Sequence, residues 1–298
     1  MKNRLFGFLL TLVLGAAPAL AQLPSVAYVS FDGSDSNPCS RSAPCATISY
    51  ALQQVAAGGV VDITSSGVYD TFTITQAVSV EADLGIVATI LVPSGGTGIT
   101  INAGPSDTVA LKRLSVRGSA GNEVGIQANA ANSISIEDCV SRNLNYGASL
   151  SSNATAFKVA GGVFAGNDTS LYIRAGGNRV SIDAVKIYKT AANAAVDAVG
   201  QNITLTHSLL AGDGVGGFSP GVWIKDGSVV VLENDVISGY GNGVVLAPTG
   251  TAYLSSNTIT NNSTGVFVNN ASAFSRLNNT IAANSTNVNG AMQPFGGQ

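Results

Sequence analysis

A repeat of about 22 to 27 residues runs through the last two-thirds of the chain and constrains its fold more than any other feature. One short strand-like pattern recurs with its first apolar residue at Ile126, Ala148, Leu171, Val196, Val222, Val244 and Val266. A second register repeats every 23 residues, at Ile136, Val159, Ile182 and Leu205. Fixed periods in this range are typical of stacked repeats, in which each unit buries its apolar face against its neighbours.

The repeat unit contains strands and turns but no helix. From about residue 70 onward, short strand patterns alternate with turn residues and no helical spacing interrupts them. A parallel β-helix with three short strands per coil fits this period, whereas one blade of a β-propeller needs about 40 residues or more. The sequence therefore predicts an all-β solenoid of about nine coils over residues 71–290, followed by a tail at 291–298.

The low charge content agrees with a stacked architecture. Only 10% of the residues are charged, against about 25% in an ordinary globular chain. Equivalent residues of successive coils would lie about 4.8 Å apart, so a repeated charge would repel its own copies. The formal net charge of −3 argues against nucleic acid or an anionic membrane surface as a partner.

Residues 1–21 have the features of a signal peptide. Lys2 and Arg4 precede an apolar run from Leu5 to Gly15, and Ala19-Leu20-Ala21 is a small-x-small cleavage site. The run is too short to span a membrane and nothing later approaches one, so we expect no membrane insertion. The sequence predicts an exported protein, either periplasmic or extracellular.

Residues 22–70 form a predicted N-terminal cap. Because export implies an oxidising compartment, we expect Cys39 and Cys45 to form a disulfide; the alternative, a metal-binding pair, lacks further ligands nearby. The third cysteine, Cys139, lies in a strand pattern and is interpreted as a small buried thiol. A helix that Thr47 can cap is predicted from helical spacing of the apolar residues Ile48, Ala51, Leu52 and Val55. Such a helix would cover the strand edges of the first coil.

The cap and the coils resemble a known group of proteins. The resemblance rests on Tyr28-Val29-Ser30, Gly33-Ser34-Asp35, Pro38-Cys39, Pro44-Cys45, the helix and Gly58–Ile63, and on the coil motifs Asn257-Thr-Ile259 and Asn279-Thr-Ile281. These segments are similar to secreted bacterial right-handed parallel β-helix proteins of the pectate-lyase-like superfamily. The resemblance implies a right-handed, single-stranded parallel β-helix with an N-terminal capping helix. Activity is not implied, because such proteins include lyases, hydrolases, epimerases and adhesins.

Motifs that the catalytic members carry are absent from the sequence. Lyases of this kind use clustered Asp residues for calcium with an Arg base; galacturonan hydrolases use Asn-Thr-Asp, Asp-Asp and Gly-His-Gly; alginate epimerases use Asp-Pro-His-Glu. None of these strings occurs here. The missing Asp-Asp pair matters because glycoside hydrolysis needs two carboxyl groups that flank the scissile bond. The only histidine, His207, has Ala184 rather than an acid one coil below it in the repeat, so we expect a surface residue without catalytic duty. We predict no metal and no cofactor; only a lyase would require calcium.

Aligning the coils places a group of unusual side chains on one outer face. If Leu171, Val196 and Val222 point inward, the residues that follow them point outward. These outward residues are Tyr172, Asp197 and Trp223, with Arg174 and Lys225 two positions further along their strands. The loop Gly212–Ser219 produces the longest step of the repeat and could form the lip of a groove beside them.

Two functions from different classes are compatible with this face. In the first, a non-catalytic protein binds a polysaccharide or a cell-surface glycan, because aromatic rings stack on sugars and cations bind uronate carboxylates. In the second, a divergent polysaccharide lyase or glycoside hydrolase acts on uronate-containing polymers through Asp197, Arg174 and Asp213. The same residues could instead form a structural ladder under the loop or a self-association surface.

Overall fold

The computed structural model describes residues 22–119, 121–151, 154–174, 179–188, 193–214 and 217–296. The predicted signal peptide lies outside these residues. The described ranges contain 32 strands and one α-helix. The strands form three parallel sheets, and the chain visits the three sheets in turn once per coil. No helix in these ranges has both the length and the apolar character of a membrane span.

Sheet 1 has twelve strands and runs the full length of the solenoid. Its strands are β1 (Val26–Val29), β2 (Gly59–Ile63), β5 (Val78–Ala82), β8 (Thr108–Lys112), β11 (Ser133–Glu137), β14 (Ala156–Ala160), β17 (Arg179–Asp183), β20 (Asn202–Thr206), β23 (Val229–Glu233), β26 (Thr251–Ser255), β29 (Ser272–Ser275) and β32 (Met292–Pro294). Each strand pairs in parallel with the strand one coil away.

Sheets 2 and 3 have ten strands each. Sheet 2 consists of β3 (Gly67–Tyr69), β6 (Ala88–Leu91), β9 (Leu114–Arg117), β12 (Val140–Arg142), β15 (Val163–Ala165), β18 (Lys186–Tyr188), β21 (Leu209–Ala211), β24 (Val236–Ser238), β27 (Thr258–Thr260) and β30 (Thr280–Ala282). Sheet 3 consists of β4 (Phe72–Ile74), β7 (Thr97–Asn102), β10 (Val124–Ala130), β13 (Tyr146–Leu150), β16 (Thr169–Arg174), β19 (Val196–Val199), β22 (Pro220–Lys225), β25 (Asn242–Leu246), β28 (Thr264–Val268) and β31 (Thr286–Asn289).

Both sequence registers are confirmed by the strand pairing. In sheet 3, Ile126 pairs with Ala148 and the ladder continues through every predicted position to Val266. In sheet 1, Ile136 pairs with Val159, and the ladder continues to Leu205. These side chains point inward and form one continuous apolar core. Stacking of similar coils, rather than any local propensity, therefore buries the apolar face of each repeat.

The short corner between sheets 1 and 2 has a similar shape in successive coils. Its first residue has a left-handed backbone, with φ between 50° and 59° at Arg113, Asp138, Ala184, His207, Asn234 and Ser256. Left-handed backbone is costly for most side chains, but single residues of this kind are tolerated where neighbouring structure fixes them. Here the amide of the corner residue donates to an oxygen of the next coil, as Asp138 does to the carbonyl of Ala160.

Asparagines tie the coils together at the corners. At the corner between sheets 1 and 2, the Oδ1 atom of Asn257 accepts a hydrogen bond from the amide of Asp235 at 3.0 Å. Its Nδ2 atom donates to the carbonyl of Leu232 at 2.8 Å. Asn279 repeats this arrangement one coil later. Asn143 supplies a left-handed residue at the corner between sheets 2 and 3, with φ of 56°.

The N-terminal cap contains the expected disulfide and helix. Cys39 and Cys45 are bonded, and helix α1 spans Ile48–Gln54. Thr47 caps it by accepting a hydrogen bond from the amide of Tyr50 at 3.1 Å, and Asp35 holds the start of the helix through three further hydrogen bonds, two of them from Thr47. The free Cys139 is buried, as expected, and burial raises the pKa of its thiol to about 12.

The expectation that His207 has no acidic neighbour on the coil below is wrong. The side chain is exposed, but an acid does lie on the coil below, since its Nδ1 atom is 2.9 Å from Oδ1 of Asp183. Strand pairing places Asp183 opposite Thr206. The carboxylate therefore reaches His207 diagonally, whereas the sequence argument considered only the residue directly below.

Candidate functional site

Sheet 3 brings three of the predicted site residues together on its outer face. Tyr172 of β16 lies opposite Asp197 of β19, which lies opposite Trp223 of β22. Neighbouring strands of a sheet are about 4.8 Å apart, so these side chains are adjacent although they come from three successive coils. The juxtaposition expected from the repeat is present.

An ion pair fixes the centre of this group. Nζ of Lys225 lies 2.8 Å from Oδ1 and 2.9 Å from Oδ2 of Asp197, and only the second contact has hydrogen-bond geometry. The two side chains are 21% and 12% exposed. Burial raises the pKa of Asp197, while the bond to Lys225 opposes that rise. The carboxylate is thus held inside the face by a single cation.

Two further contacts organise Trp223. The ammonium group of Lys225 lies 3.9 Å from the centroid of the indole ring, a cation–π geometry. The ring of Phe218, which is 53% exposed, packs edge-on against Trp223 with centroids 4.9 Å apart. Lys225 therefore bridges the acid and the indole, and the loop before β22 lays a second aromatic ring beside them.

Another aromatic pair extends the face toward the N-terminus. The rings of Tyr146 and Tyr172 are tilted by 39°, with centroids 5.2 Å apart. Burial raises the pKa of Tyr146, and the nearby charges of Tyr172 and Asp197 raise it further. We call the combined surface the aromatic face, and it consists of Tyr146, Tyr172, Asp197, Phe218, Trp223 and Lys225.

The residues considered for catalysis do not form one ion-paired group. Arg174 is exposed at the end of β16, opposite Val199, and among the described residues it makes no ion pair. The carboxylate of Asp197 is instead paired with Lys225. Asp213 lies at the corner before β22, where its charge adds to the effect of burial in raising the pKa of Tyr240. In the described ranges, no three His, Cys, Asp or Glu side chains are grouped so that they could hold a metal ion.

Sequence reasoning missed two members of the aromatic face. Phe218 lies in the loop Gly212–Ser219, which was predicted as a lip without a named residue, and an irregular loop has no period to place its side chains. Tyr146 precedes the aligned position of its coil, which Ser149 occupies opposite Tyr172. Its contact with Tyr172 is diagonal, so a search of positions a few residues earlier on each strand could have suggested it.

Comparisons with known proteins identify the architecture. Residues 169–292 match the family model for a right-handed beta helix region. The structure is similar to pectate lyase Pel9A, with 15% identity, a TM-score of 0.48, and coverage of 83% of this chain and 78% of that chain. It is also similar to the GH136 lacto-N-biosidase from Eubacterium ramulus, with 10% identity, a TM-score of 0.51, and coverage of 90% and 67%. No curated protein matches the sequence.

The comparisons confirm the predicted fold. The family match and the three parallel sheets together give a right-handed parallel β-helix, as the resemblance to the pectate-lyase-like superfamily implied. At a sequence identity of 10%, the likeness to the lacto-N-biosidase concerns the fold alone, since unrelated activities occur on one scaffold.

Proposed function

We propose that this right-handed β-helix protein is an exported, non-catalytic carbohydrate-binding protein that holds a polysaccharide or a cell-surface glycan on the aromatic face. One observation carries the proposal: the in-register pairing of β16, β19 and β22 groups Tyr172, Asp197 and Trp223. Only 6% of the residues are aromatic and 10% are charged. A cluster that combines both on the outside of such a chain is suited to an amphipathic ligand.

The chemistry of the aromatic face matches that of a sugar chain. Sugar rings present C–H groups to aromatic rings and hydroxyl groups to ions. Because Lys225 lies over the indole ring of Trp223, the exposed Phe218 and the half-buried Tyr172 supply the open aromatic surface. Trp223 then supports Phe218 from below, while Arg174 offers an exposed cation at the edge of the face.

The ion pair favours binding over catalysis. A carboxylate that acts as a general acid or base must be free to exchange its proton with the substrate. Asp197 is instead bonded to Lys225 and has a side chain only 12% exposed. The buried carboxylate instead holds Lys225 in place, and Lys225 in turn contacts the indole ring of Trp223. A divergent lyase or hydrolase using Asp197, Arg174 and Asp213 is the competing hypothesis, and the test below separates the two.

Export is supported by the cap. The disulfide between Cys39 and Cys45 is of a kind that persists in oxidising compartments and is rare where thiols are kept reduced. Together with the signal-like residues 1–21, it favours a periplasmic or extracellular protein.

The test compares glycan binding by the wild type with that of Trp223→Ala and Phe218→Ala. A glycan array selects a ligand, and calorimetry then measures its affinity. We expect each substitution to weaken binding by at least about 30-fold, as for a central aromatic anchor. Tyr188→Ala is the matched control, because Tyr188 is 41% exposed on sheet 2 and should leave the affinity unchanged.

Two outcomes would contradict the proposal. Equal affinity in the wild type, Trp223→Ala and Phe218→Ala would remove the aromatic face as the binding surface. The second is release of unsaturated products or new reducing ends from uronate polymers by the wild type, with that release abolished in Asp197→Asn. This result would show that the protein is an enzyme.

A further inference from the structure

A cavity of about 360 Å³ lies between helix α1 and the N-terminal edge of sheet 3. Helix α1 forms one wall, with Ser49 and Gln53 exposed toward the cavity. Strands β4 and β7 form the other wall. We call this cavity the cap notch. Its volume falls in the range of about 300–1,000 Å³ that is typical of small-molecule sites.

Five threonines converge on the cap notch: Thr71, Thr73, Thr75, Thr97 and Thr100. Thr73 lies on β4, and Thr71 and Thr75 flank that strand, so the three alternate with the inward residues Phe72 and Ile74 and lie on the same outer side. Thr73 of β4 lies directly opposite Thr100 of β7. Five hydroxyl groups from β4, its two flanking residues and β7 therefore line one small space.

Among the described residues, none of the five side chains makes a hydrogen bond to another residue. Some other threonines do so, as Thr206 donates to Asp183 at 2.7 Å and Thr155 donates to the carbonyl of Asn132 at 2.9 Å. Strand β4 is also the edge strand of sheet 3, so one side of its backbone has no strand partner. The cap notch is rich in free donors and acceptors.

The lining of the cap notch contains no charged side chain. Besides the threonines it has Ser49, Gln53 and Gln76, together with Leu52 and Phe72. Gln76 is already bonded to the last carbonyls of α1, which fixes the helix against the sheet. A ligand with a formal charge would find no counter-ion among these groups. A neutral ligand with many hydroxyl groups and some C–H surface would be matched on both counts.

We infer that the cap notch is a binding site for a neutral sugar unit, such as the terminal hexose of an uncharged glycan. The hydroxyl groups of Thr73 and Thr100 exchange hydrogen bonds with the ligand, while Ser49 and Gln53 contact it from the helix. This site is separate from the aromatic face. Thr100 and Trp223 lie in one outward row of sheet 3, five strand steps apart, which is about 24 Å.

The experiment uses three uncharged probes: cellohexaose, maltohexaose and mannohexaose. Calorimetry measures their binding to the wild type and to the double variant Thr73→Val/Thr100→Val, in which strand-compatible side chains lack the hydroxyl groups. We expect at least one probe to bind, and the double variant to lose about tenfold or more in affinity. Thr286→Val, at an exposed position of the same sheet, is the matched control and should bind as the wild type does.

The single tryptophan of the chain separates this inference from the proposed function. Trp223 belongs to the aromatic face, so a probe in the cap notch should leave its fluorescence unchanged, and Trp223→Ala should retain that binding event. If no probe binds at a concentration of about 10 mM, tenfold above a millimolar dissociation constant, the inference is wrong. It is also wrong if Thr73→Val/Thr100→Val binds like the wild type, or if hexagalacturonate occupies the notch more tightly than every neutral probe.

Discussion

Asp197 and Lys225 form a largely buried ion pair across two strands, with Nζ 2.8 Å from Oδ1, although 28 residues separate them in the chain. Lys225 lies opposite Val199, two residues beyond the position that faces Asp197, so the pair is diagonal. The same ammonium group contacts Trp223. A single side chain thus connects the acid of the aromatic face to its indole.

Replacement of Lys225 by methionine should destabilise the protein in a pH-dependent way. The Asp197 carboxylate would remain buried without its cation, which should lower the free energy of unfolding by about 1–3 kcal/mol at pH 7.5. Burial already raises the pKa of Asp197, and loss of Lys225 should raise it further. Protonation at lower pH then removes the uncompensated charge, so the deficit should shrink toward pH 4. Urea unfolding at both pH values measures it.

The double variant Asp197→Asn/Lys225→Met provides the control for that prediction. It removes both charges, so it should recover most of the stability lost in Lys225→Met. The prediction is wrong if the stability deficit of Lys225→Met does not change with pH. It is also wrong if the effects of the two substitutions on the free energy of unfolding simply add, because the ion pair would then not stabilise the aromatic face.

Asp235→Asn should stabilise the protein at neutral and alkaline pH. Asp235 is 1% exposed, and burial raises the pKa of its carboxyl group to about 7. The hydrogen bonds from the amides of Ser208 and Glu233 lower this pKa, but burial has the larger effect. The pKa of Asp235 is higher in the folded state than in the unfolded state. Its contribution to the stability of the wild type is therefore fully present below about pH 4 and is lost as the pH rises through 7. Asparagine carries no charge, so the variant should gain on the order of 2–4 kcal/mol at pH 8.5.

The structure suggests how Asp235→Asn would be accommodated. Asn257 and Asn279 occupy the equivalent positions of the next two coils, and their Nδ2 atoms donate to Leu232 and Leu254. The new side-chain amide would donate in the same way to the carbonyl of Leu205, which pairs with Leu232, while the hydrogen bond that Oδ2 of Asp235 accepts from the amide of Glu233 would be lost.

Unfolding of the wild type and of Asp235→Asn is compared between pH 5 and 8.5. Asp138→Asn, at an exposed corner residue, is the matched control and should change stability by less than about 0.5 kcal/mol. An Asp235→Asn variant that is less stable than the wild type at pH 8.5 would refute the prediction.

Asn257→Ala should destabilise the solenoid by about 2–4 kcal/mol. Asn257 is 1% exposed, and its loss leaves the amide of Asp235 and the carbonyl of Leu232 without these partners. The midpoint of urea unfolding is the measurement. Asn129→Ala removes an exposed asparagine from β10 and should change stability by less than about 0.5 kcal/mol. Equal effects of the two substitutions would mean that the hydrogen bonds of Asn257 between coils contribute nothing to stability.

The repeat made the scaffold and the centre of the aromatic face predictable. A fixed period assigns every strand residue to a row, and this was enough to bring Tyr172, Asp197 and Trp223 together. The partner of Asp197 was not determined by the period, because Arg174 and Lys225 both flank it and the choice depends on side-chain reach. The diagonal contact between His207 and Asp183 was missed for the same reason.

The loop and the cap followed no repeat, and there the sequence was less informative. Phe218 lies outside the strands, so no row of the repeat predicted its place beside Trp223. The alternating threonines on and beside β4 are visible in the sequence, but the cavity that they line exists only because α1 packs at the edge of sheet 3.

The short corner between sheets 1 and 2 also determines where this protein can change. From β11 to β27 this corner has two residues in every coil, whereas the connection from sheet 2 to sheet 3 has three residues after β24 and eight after β21. Extra residues at that second corner leave the strand register intact on both sides. New binding specificities could therefore be introduced by exchanging the segment that carries Phe218, while the strand register of the rest of the solenoid stays unchanged.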